Sequence, residues 1–210
     1  MTISSYRLQI TNYDFMLFTD ITTDTQTTYS LKANEKRIFF LYNRPGDITF
    51  RLTGSGAEAH VFALFSLSGK TSLRSGITQI HLADNTISSL VGRSILSGQS
   101  AFDWHGLIKI KKIATLSDGH QEMRNLVLSE EASAFALPSL EIENNAVRCG
   151  HATATSAPNK ESLFFLRSRG FSESEAKRIL VEGFIRDILE RLPIQNTKRE
   201  ILFQSVNDTL

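Results

Sequence analysis

Cysteine is almost absent from this 210-residue sequence, in which Cys149 is the only one. A single thiol can form neither an intramolecular disulfide nor a zinc site with several cysteine ligands. Long apolar runs are also missing, and the cluster at 38–42 is far too short to span a bilayer. Residues 1–15 lack the basic start and the apolar core of a signal peptide. We therefore predict a cytoplasmic protein without membrane segments.

Neither sign of charge predominates, because 23 lysine and arginine residues are balanced by 22 aspartate and glutamate residues. This balance argues against a protein that binds nucleic acid through bulk electrostatics. The nucleotide-binding patterns GxxxxGK[ST] and GxGxxG are absent, as is the HExxH zinc motif. Five dispersed histidines show no ligand-type spacing, so each one alone is a weak metal-ligand candidate. They are His60, His81, His105, His120 and His151.

Short alternating segments, typical of strands, dominate the first 150 residues. In 47–53, Ile48, Phe50 and Leu52 share one face and polar residues occupy the other. Similar but less regular segments are 36–42, 58–65, 77–82 and 106–113. Many strands without intervening helices predict a sandwich, a barrel or a solenoid, and the absence of a strict repeat period leaves this choice open.

The pattern becomes helical after residue 157. Pro158 and Gly170 are typical of the first turn and the end of a helix. Ser172 and Glu175 form a capping-box pattern, and the apolar residues that follow predict an amphipathic helix ended by Pro193. A short last helix is predicted through residue 206. The sequence thus predicts a strand-rich core over 1–156 and a C-terminal helical region over 157–210.

The segment Arg148-Cys149-Gly150-His151 places a thiol and an imidazole two residues apart. On an extended strand both side chains project to one face, and both groups bind iron and iron–sulfur units. A buried cysteine beside an incidental histidine explains the same pattern, because cysteine is among the most buried residue types. A cysteine nucleophile assisted by His151 is a third interpretation, although no orienting Asn or Asp lies nearby. The residues alone leave all three open.

Several further segments occur in a specific order between about residues 80 and 192. They are Gly106-Leu107-Ile108-Lys109-Ile110, Asn125-Leu126-Val127-Leu128-Ser129, Pro138-Ser139-Leu140-Glu141-Ile142, Val147-Arg148-Cys149-Gly150-His151-Ala152-Thr153, Leu163-Phe164-Phe165-Leu166, Ser168-Arg169-Gly170 and Glu175-Ala176. In content and spacing this series resembles the SufB/SufD family of iron–sulfur cluster assembly scaffold proteins. The resemblance implies a mainly β fold, namely a right-handed parallel β-helix (a solenoid) with a C-terminal α-helical region.

The resemblance also implies partners and a site. Members of the family form SufB–SufD pairs that dock through their C-terminal helices onto SufC, an ABC-type ATPase. His151 matches a SufD histidine that lies at the subunit interface and helps to hold the nascent cluster, and Cys149 matches the cysteine two positions earlier. The expected cargo is a transient iron–sulfur cluster, or iron, at that interface. The candidate contacts of the helical region with a partner are Arg167, Arg169, Phe171, Arg178 and Phe184.

Two positions favour the SufD branch of the family. SufB has its essential cysteine where this chain has Met123, and a glutamate where it has Ala152. We therefore expect a scaffold component that is not an enzyme and that pairs with a SufB-like subunit or with itself. One alternative is a strand-rich adaptor that binds the ATPase but has an inert Cys149–His151 pair. The other is a cupin-like metal enzyme that uses histidines from several strands.

Overall fold

The computed structural model describes residues 16–207, and in this part of the chain eleven strands precede three helices. The strands are β1 (Leu17–Asp20), β2 (Thr28–Leu31), β3 (Lys36–Tyr42), β4 (Gly46–Leu52), β5 (Glu58–Leu67), β6 (Ser72–His81), β7 (Ile87–Leu96), β8 (Ala101–Ile110), β9 (Asp118–Val127), β10 (Ser133–Ile142) and β11 (Arg148–Ser156). The helices are α1 (Lys160–Ser168), α2 (Glu173–Leu189) and α3 (Asn196–Asn207). No helix within residues 16–207 is long and apolar enough to cross a membrane.

The strands form two parallel sheets. One has six strands in the order β1-β3-β5-β7-β9-β11, and the other has five in the order β10-β8-β6-β4-β2. Because successive strands alternate between the sheets, the chain coils as a parallel β-solenoid, which confirms the solenoid prediction. Glu58 pairs with Ile87, and Ile87 pairs with Asp118, so each of these turns takes about 30 residues.

The space between the two sheets, here called the lumen, holds the main core. Aromatic side chains from both sheets fill it, and Phe39 and Phe50 lie with their ring centroids 4.7 Å apart. Trp104 is fully buried in this core. Towards the C-terminal end of the solenoid the lumen becomes polar. The buried residues there include Gln79, His81, Ser88 and Gln121.

Helices α2 and α3 cover the outer face of the six-stranded sheet. Val181, Ile185 and Ile188 of α2 pack against Phe62 and Val91 of that sheet. Burial of this apolar face, at about 25 cal/mol per Å², stabilises the attachment of the helices. The predicted capping box begins α2, since Ser172 accepts a hydrogen bond from the backbone of Glu175 while the Glu175 carboxylate accepts one from Ser172.

An ion-pair network joins α2 to the sheet at Arg93, a residue of β7 that is 2% exposed. Its guanidinium donates to Glu122 of β9 at 2.7 Å and to Asp187 of α2 at 2.6 Å. Partial burial works to raise the pKa of Asp187, but the hydrogen bonds and charges of Arg93 and Arg191 together outweigh it and leave this pKa lowered. Arg93 therefore fixes the helix to the sheet with charge-assisted bonds.

Two predicted boundaries move for local reasons. The strand expected at 106–113 ends at Ile110, because the chain turns the corner into β9 between residues 111 and 117. The first helix begins at Lys160 because Asn159 is its N-cap and accepts a bond from the backbone of Ser162. Pro158 thus precedes the cap instead of lying in the first turn.

Candidate functional site

The C-terminal end of the solenoid has two open edges. Within residues 16–207, strand β11 pairs only with β9 and β10 pairs only with β8, so each is the last described strand of its sheet. Most side chains of β10 and β11 are exposed or only half-buried. The lumen therefore opens to solvent at this end, between the two last strands.

Cys149 and His151 both lie on the lumen side of β11. In the parallel register Cys149 pairs with Gly119 and His151 pairs with Gln121, and paired residues of parallel strands point to the same side. His151 is exposed at the open end. Cys149 is half-buried and packs against a small apolar cluster that includes Ile108 and Leu140. The two side chains thus share a face, as the spacing predicts, but differ in environment.

Burial determines the state of the Cys149 thiol. Desolvation, with a contribution from the negative charge of Asp118, raises the pKa of Cys149 to about 11. The group is therefore protonated near neutral pH, whereas metal ligation and nucleophilic attack both require the thiolate. A metal could bind Cys149 only by displacing this proton.

Gln121 lies directly beneath His151, one turn back along the solenoid. Its side chain is buried in the lumen, and its Nε2 is 3.5 Å from the carbonyl oxygen of Gly106 and 3.4 Å from that of Ser139. Within the described residues its Oε1 accepts no hydrogen bond. Sequence reasoning missed this neighbour of His151, because 30 positions separate the two residues and only the strand register joins them.

The other four histidines lie on different faces of the fold. His60 and His120 lie on the outer face of the six-stranded sheet, where they contact Ser89 and Asp118 respectively. His105 lies on the outer face of the five-stranded sheet beside Asp103. His81 is buried in the lumen. Among residues 16–207, no group of three or more His, Cys, Asp or Glu side chains is placed to hold a metal ion.

The five candidate contacts of the helical region differ in exposure. Arg167, Arg169, Phe171 and Arg178 are exposed, and the guanidinium of Arg169 lies 4.6 Å from the ring centroid of Phe165. Phe184 is half-buried between α2 and the sheet, where Arg93 lies 5.6 Å from its ring centroid. Most of the Phe184 ring is therefore engaged within the chain.

The sequence that forms this site matches the model of a known protein family. The family model described as "SUF system FeS cluster assembly, SufBD core domain" matches residues 44–184, which run from the connection between β3 and β4 into α2 and include Cys149 and His151. The chain belongs to the SufB/SufD family. The match covers both the strands that position the open end and the first part of the helical region.

Curated relatives carry the same family name. An iron–sulfur cluster assembly SufBD family protein of Mycobacterium tuberculosis is 32% identical over 159 residues, which cover 72% of this chain and 40% of the relative. One from Staphylococcus aureus is 30% identical over 145 residues, which cover 69% of this chain and 31% of the relative. One from Synechocystis sp. is 28% identical over 144 residues, which cover 69% of this chain and 30% of the relative. The chain thus spans about a third of the length of these relatives.

Proposed function

We propose that this chain is a SufD-like component of the Suf scaffold, on which iron–sulfur clusters are assembled. The observation that carries the proposal is the position of His151, which is exposed on the lumen side of the last, open-edged strand. One imidazole cannot hold a cluster alone. A ligand placed at an open edge can, however, be shared with a second subunit that docks there.

The proposed partner is a SufB-like subunit, or a second copy of this chain. The free edges of β10 and β11 present unpaired backbone N–H and C=O groups, which can add a strand from another chain. Such a docked subunit would bring its own ligands towards His151. This arrangement is consistent with a chain that has a single cysteine.

The helical region would contact the SufC ATPase. Helix α1 has no buried residue, and Phe164, Phe165 and Phe171 are exposed large hydrophobic residues around its C-terminal half. Exposed apolar clusters rimmed by polar groups mark interaction sites, and Arg167 and Arg169 provide such a rim. Arg178 lies on the exposed side of α2. Phe184 would contribute mainly by holding α2 against the sheet.

In this role the chain binds and positions its cargo and performs no catalysis of its own. The neutral imidazole of His151 would donate a lone pair to iron. Cys149 would act as a ligand only if docking removed its proton, because its buried thiol is protonated near neutral pH. A chain that contributes one ready ligand to a shared site suits the reducing cytoplasm, where we propose that it acts.

The apolar environment of Cys149 favours one second candidate, an adaptor without a cluster site. A protonated, half-buried thiol is the expected state of an inert core cysteine. An adaptor would still pair and bind the ATPase. The Cys149→Ala/His151→Ala double variant separates the two functions, because the adaptor would support normal cluster assembly with both side chains removed.

The first test is anaerobic co-purification of the tagged chain from its native cell, followed by mass spectrometry and by iron and sulfide analysis. We expect a SufB-like subunit and an ABC-type ATPase to accompany the chain. We expect His151→Ala to retain both partners and to lose the cluster. His105→Ala is the matched control, because His105 is also accessible but lies on the outer face of the other sheet.

Each outcome has a distinct meaning. Normal cluster content in His151→Ala would contradict the ligand role of this residue. Recovery of neither partner by the wild-type chain would contradict the scaffold role itself. Loss of the cluster in both histidine variants would point to a general defect, and the ligand assignment would then lose its support.

A further inference from the structure

A buried amide is the neighbour of the candidate ligand. Gln121 is 3% exposed, lies in the lumen, and pairs in register with His151 of the next strand. Neighbouring strands in a sheet are about 4.8 Å apart, so the two side chains extend into the lumen one above the other. A tilt of the imidazole can bring a ring N–H within hydrogen-bond distance of the amide oxygen.

The amide has an unused acceptor. Within the described residues Gln121 Oε1 has no hydrogen-bond partner, although it is buried. An unpaired buried polar atom lowers the stability of the fold by about 1–3 kcal/mol. A hydrogen bond to this atom therefore stabilises the protein more than an ordinary surface hydrogen bond does. Nε2 of the same amide faces the carbonyl oxygens of Gly106 and Ser139, which directs the acceptor away from these carbonyls.

The space for this amide is built into the fold. A Cβ atom added to Gly106 would lie 2.4 Å from Gln121 Oε1. Any side chain at residue 106 would therefore displace the amide. The glycine thus leaves the space in the lumen that the Gln121 amide and the Trp104 ring occupy.

We propose that Gln121 is the positioning residue for His151. Its Oε1 accepts a hydrogen bond from one imidazole N–H, which fixes the tautomer and the ring orientation and leaves the other nitrogen available to iron. Metal-binding histidines usually have such a partner for their second nitrogen. This inference rests on the proposed function for the identity of the cargo, but the proposed hydrogen bond does not require the cargo.

The test measures the imidazole directly in the metal-free chain. Long-range ¹H–¹⁵N spectra at about pH 8, where a histidine is neutral, report how the proton divides between the two ring nitrogens. We expect one tautomer of His151 to predominate in the wild type. In Gln121→Leu the two ¹⁵N shifts should move towards each other, and Gln121→Glu, which keeps an acceptor oxygen, should restore their separation.

Gln79→Leu is the matched control. Gln79 is a second lumen glutamine, 1% exposed, whose Oε1 also has no partner among the described residues. It pairs with Ile108 and donates to Ser88 and to the backbone carbonyl of His120, none of which lies on β11. The same loss of an amide there should leave the His151 spectrum unchanged, which separates positioning from general destabilisation of the lumen.

Cluster content in the anaerobically purified complex is the second readout. We expect Gln121→Leu to lower the cluster content roughly 10-fold or more, because loss of the hydrogen-bond partner of a metal-binding histidine has effects of this size. Gln121→Glu should restore the cluster content. An unchanged His151 spectrum in Gln121→Leu would overturn the positioning role whatever happens to the cluster. Normal clusters in His151→Ala, together with the expected spectral change, would instead reject the cluster site and leave the hydrogen bond in place.

Discussion

His81 is fully buried in the lumen, where both ring nitrogens contact hydroxyl groups. Nδ1 lies 2.7 Å from Thr86 Oγ1, and Nε2 lies 2.8 Å from Ser88 Oγ. Burial lowers the pKa of His81 from 6.5 to about 4, and the charge of Asp118 offsets this only in part. The folded protein therefore holds His81 neutral at pH values at which the unfolded chain protonates it.

The direction of the pH effect follows from this difference. Above pH 6.5 the imidazole is neutral in both states and stability is complete. As the pH falls from 6.5 towards about 4, the unfolded chain binds a proton that the folded chain refuses, so the free energy of unfolding decreases. Each pH unit in this window costs about 1.4 kcal/mol. The loss is about 1.4 kcal/mol at about pH 5.5 and roughly 3 kcal/mol below about pH 4.

The perturbation that isolates this effect is His81→Gln, which cannot titrate but keeps hydrogen-bonding groups in the lumen. Urea unfolding of the wild type and the variant would be followed by circular dichroism between about pH 7.5 and pH 5. We expect the variant to be less stable near neutral pH, because Gln fits the site less well. We expect its disadvantage to shrink by about 2 kcal/mol at about pH 5, because only the wild type pays the protonation penalty.

His105→Gln is the control for this comparison, since His105 is accessible on the outer face of the five-stranded sheet. It should follow the pH dependence of the wild type closely. Parallel pH profiles for the wild type and His81→Gln would refute the reasoning, because they would show that His81 titrates alike in the folded and unfolded chains.

Two further predictions concern the corners and the helices. Leu116 has a left-handed backbone (φ 57°) at the corner where an earlier turn has Asn85 (φ 54°), and its side chain is 67% exposed. Leu116→Asn should therefore raise the free energy of unfolding by about 1 kcal/mol, measured by urea unfolding, and a decrease would contradict the strain argument. Arg93→Met should lower it by about 3 kcal/mol and release α2, whereas Asp187→Asn, which leaves the bond of Arg93 to Glu122, should cost less. Equal losses in the two variants, checked by unfolding and by proteolysis of α2, would contradict this assignment.

Local sequence pattern predicted the bounds of several strands and the start of one helix well. The predicted strand 36–42 coincides with β3, and the prediction 47–53 differs from β4 by one residue. The capping box at Ser172 correctly marks the start of α2. In β4 and α2 one face is apolar because it packs on a core and the other is less buried, so the local period reports the structure.

Strand β7 illustrates what local pattern cannot show. One of its faces lines the lumen and the other lies under α2, so both faces are buried. Apolar and polar residues therefore do not alternate along the strand. The repeat is also irregular. Leu17 pairs with Arg37 and Ile87 pairs with Asp118, so the spacing grows from about 20 residues per turn to about 30. A search for one fixed period therefore fails, although the parallel strand pairing continues from turn to turn.

The candidate site also combines a feature that local sequence predicts with features that it does not. The spacing of Cys149 and His151 correctly predicts a shared face, because that property is local to one strand. The high pKa of the Cys149 thiol depends on burial among residues of β8 and β10, and the position of Gln121 beneath His151 depends on strand register. Neither can be read from neighbouring residues in the sequence.

One structural cause links the features of the open end. After β11 the chain leaves the solenoid to form the helices, so no further strand pairs with β10 or β11 in the described chain. That single departure frees two backbone edges, exposes His151, and leaves Gln121 buried beneath it. A docked subunit that supplied the next strands would satisfy the edges and enclose His151 in the same step. Subunit pairing and completion of the cluster site are therefore expected to be lost together when the edge of β11 is blocked, for example by Thr153→Pro.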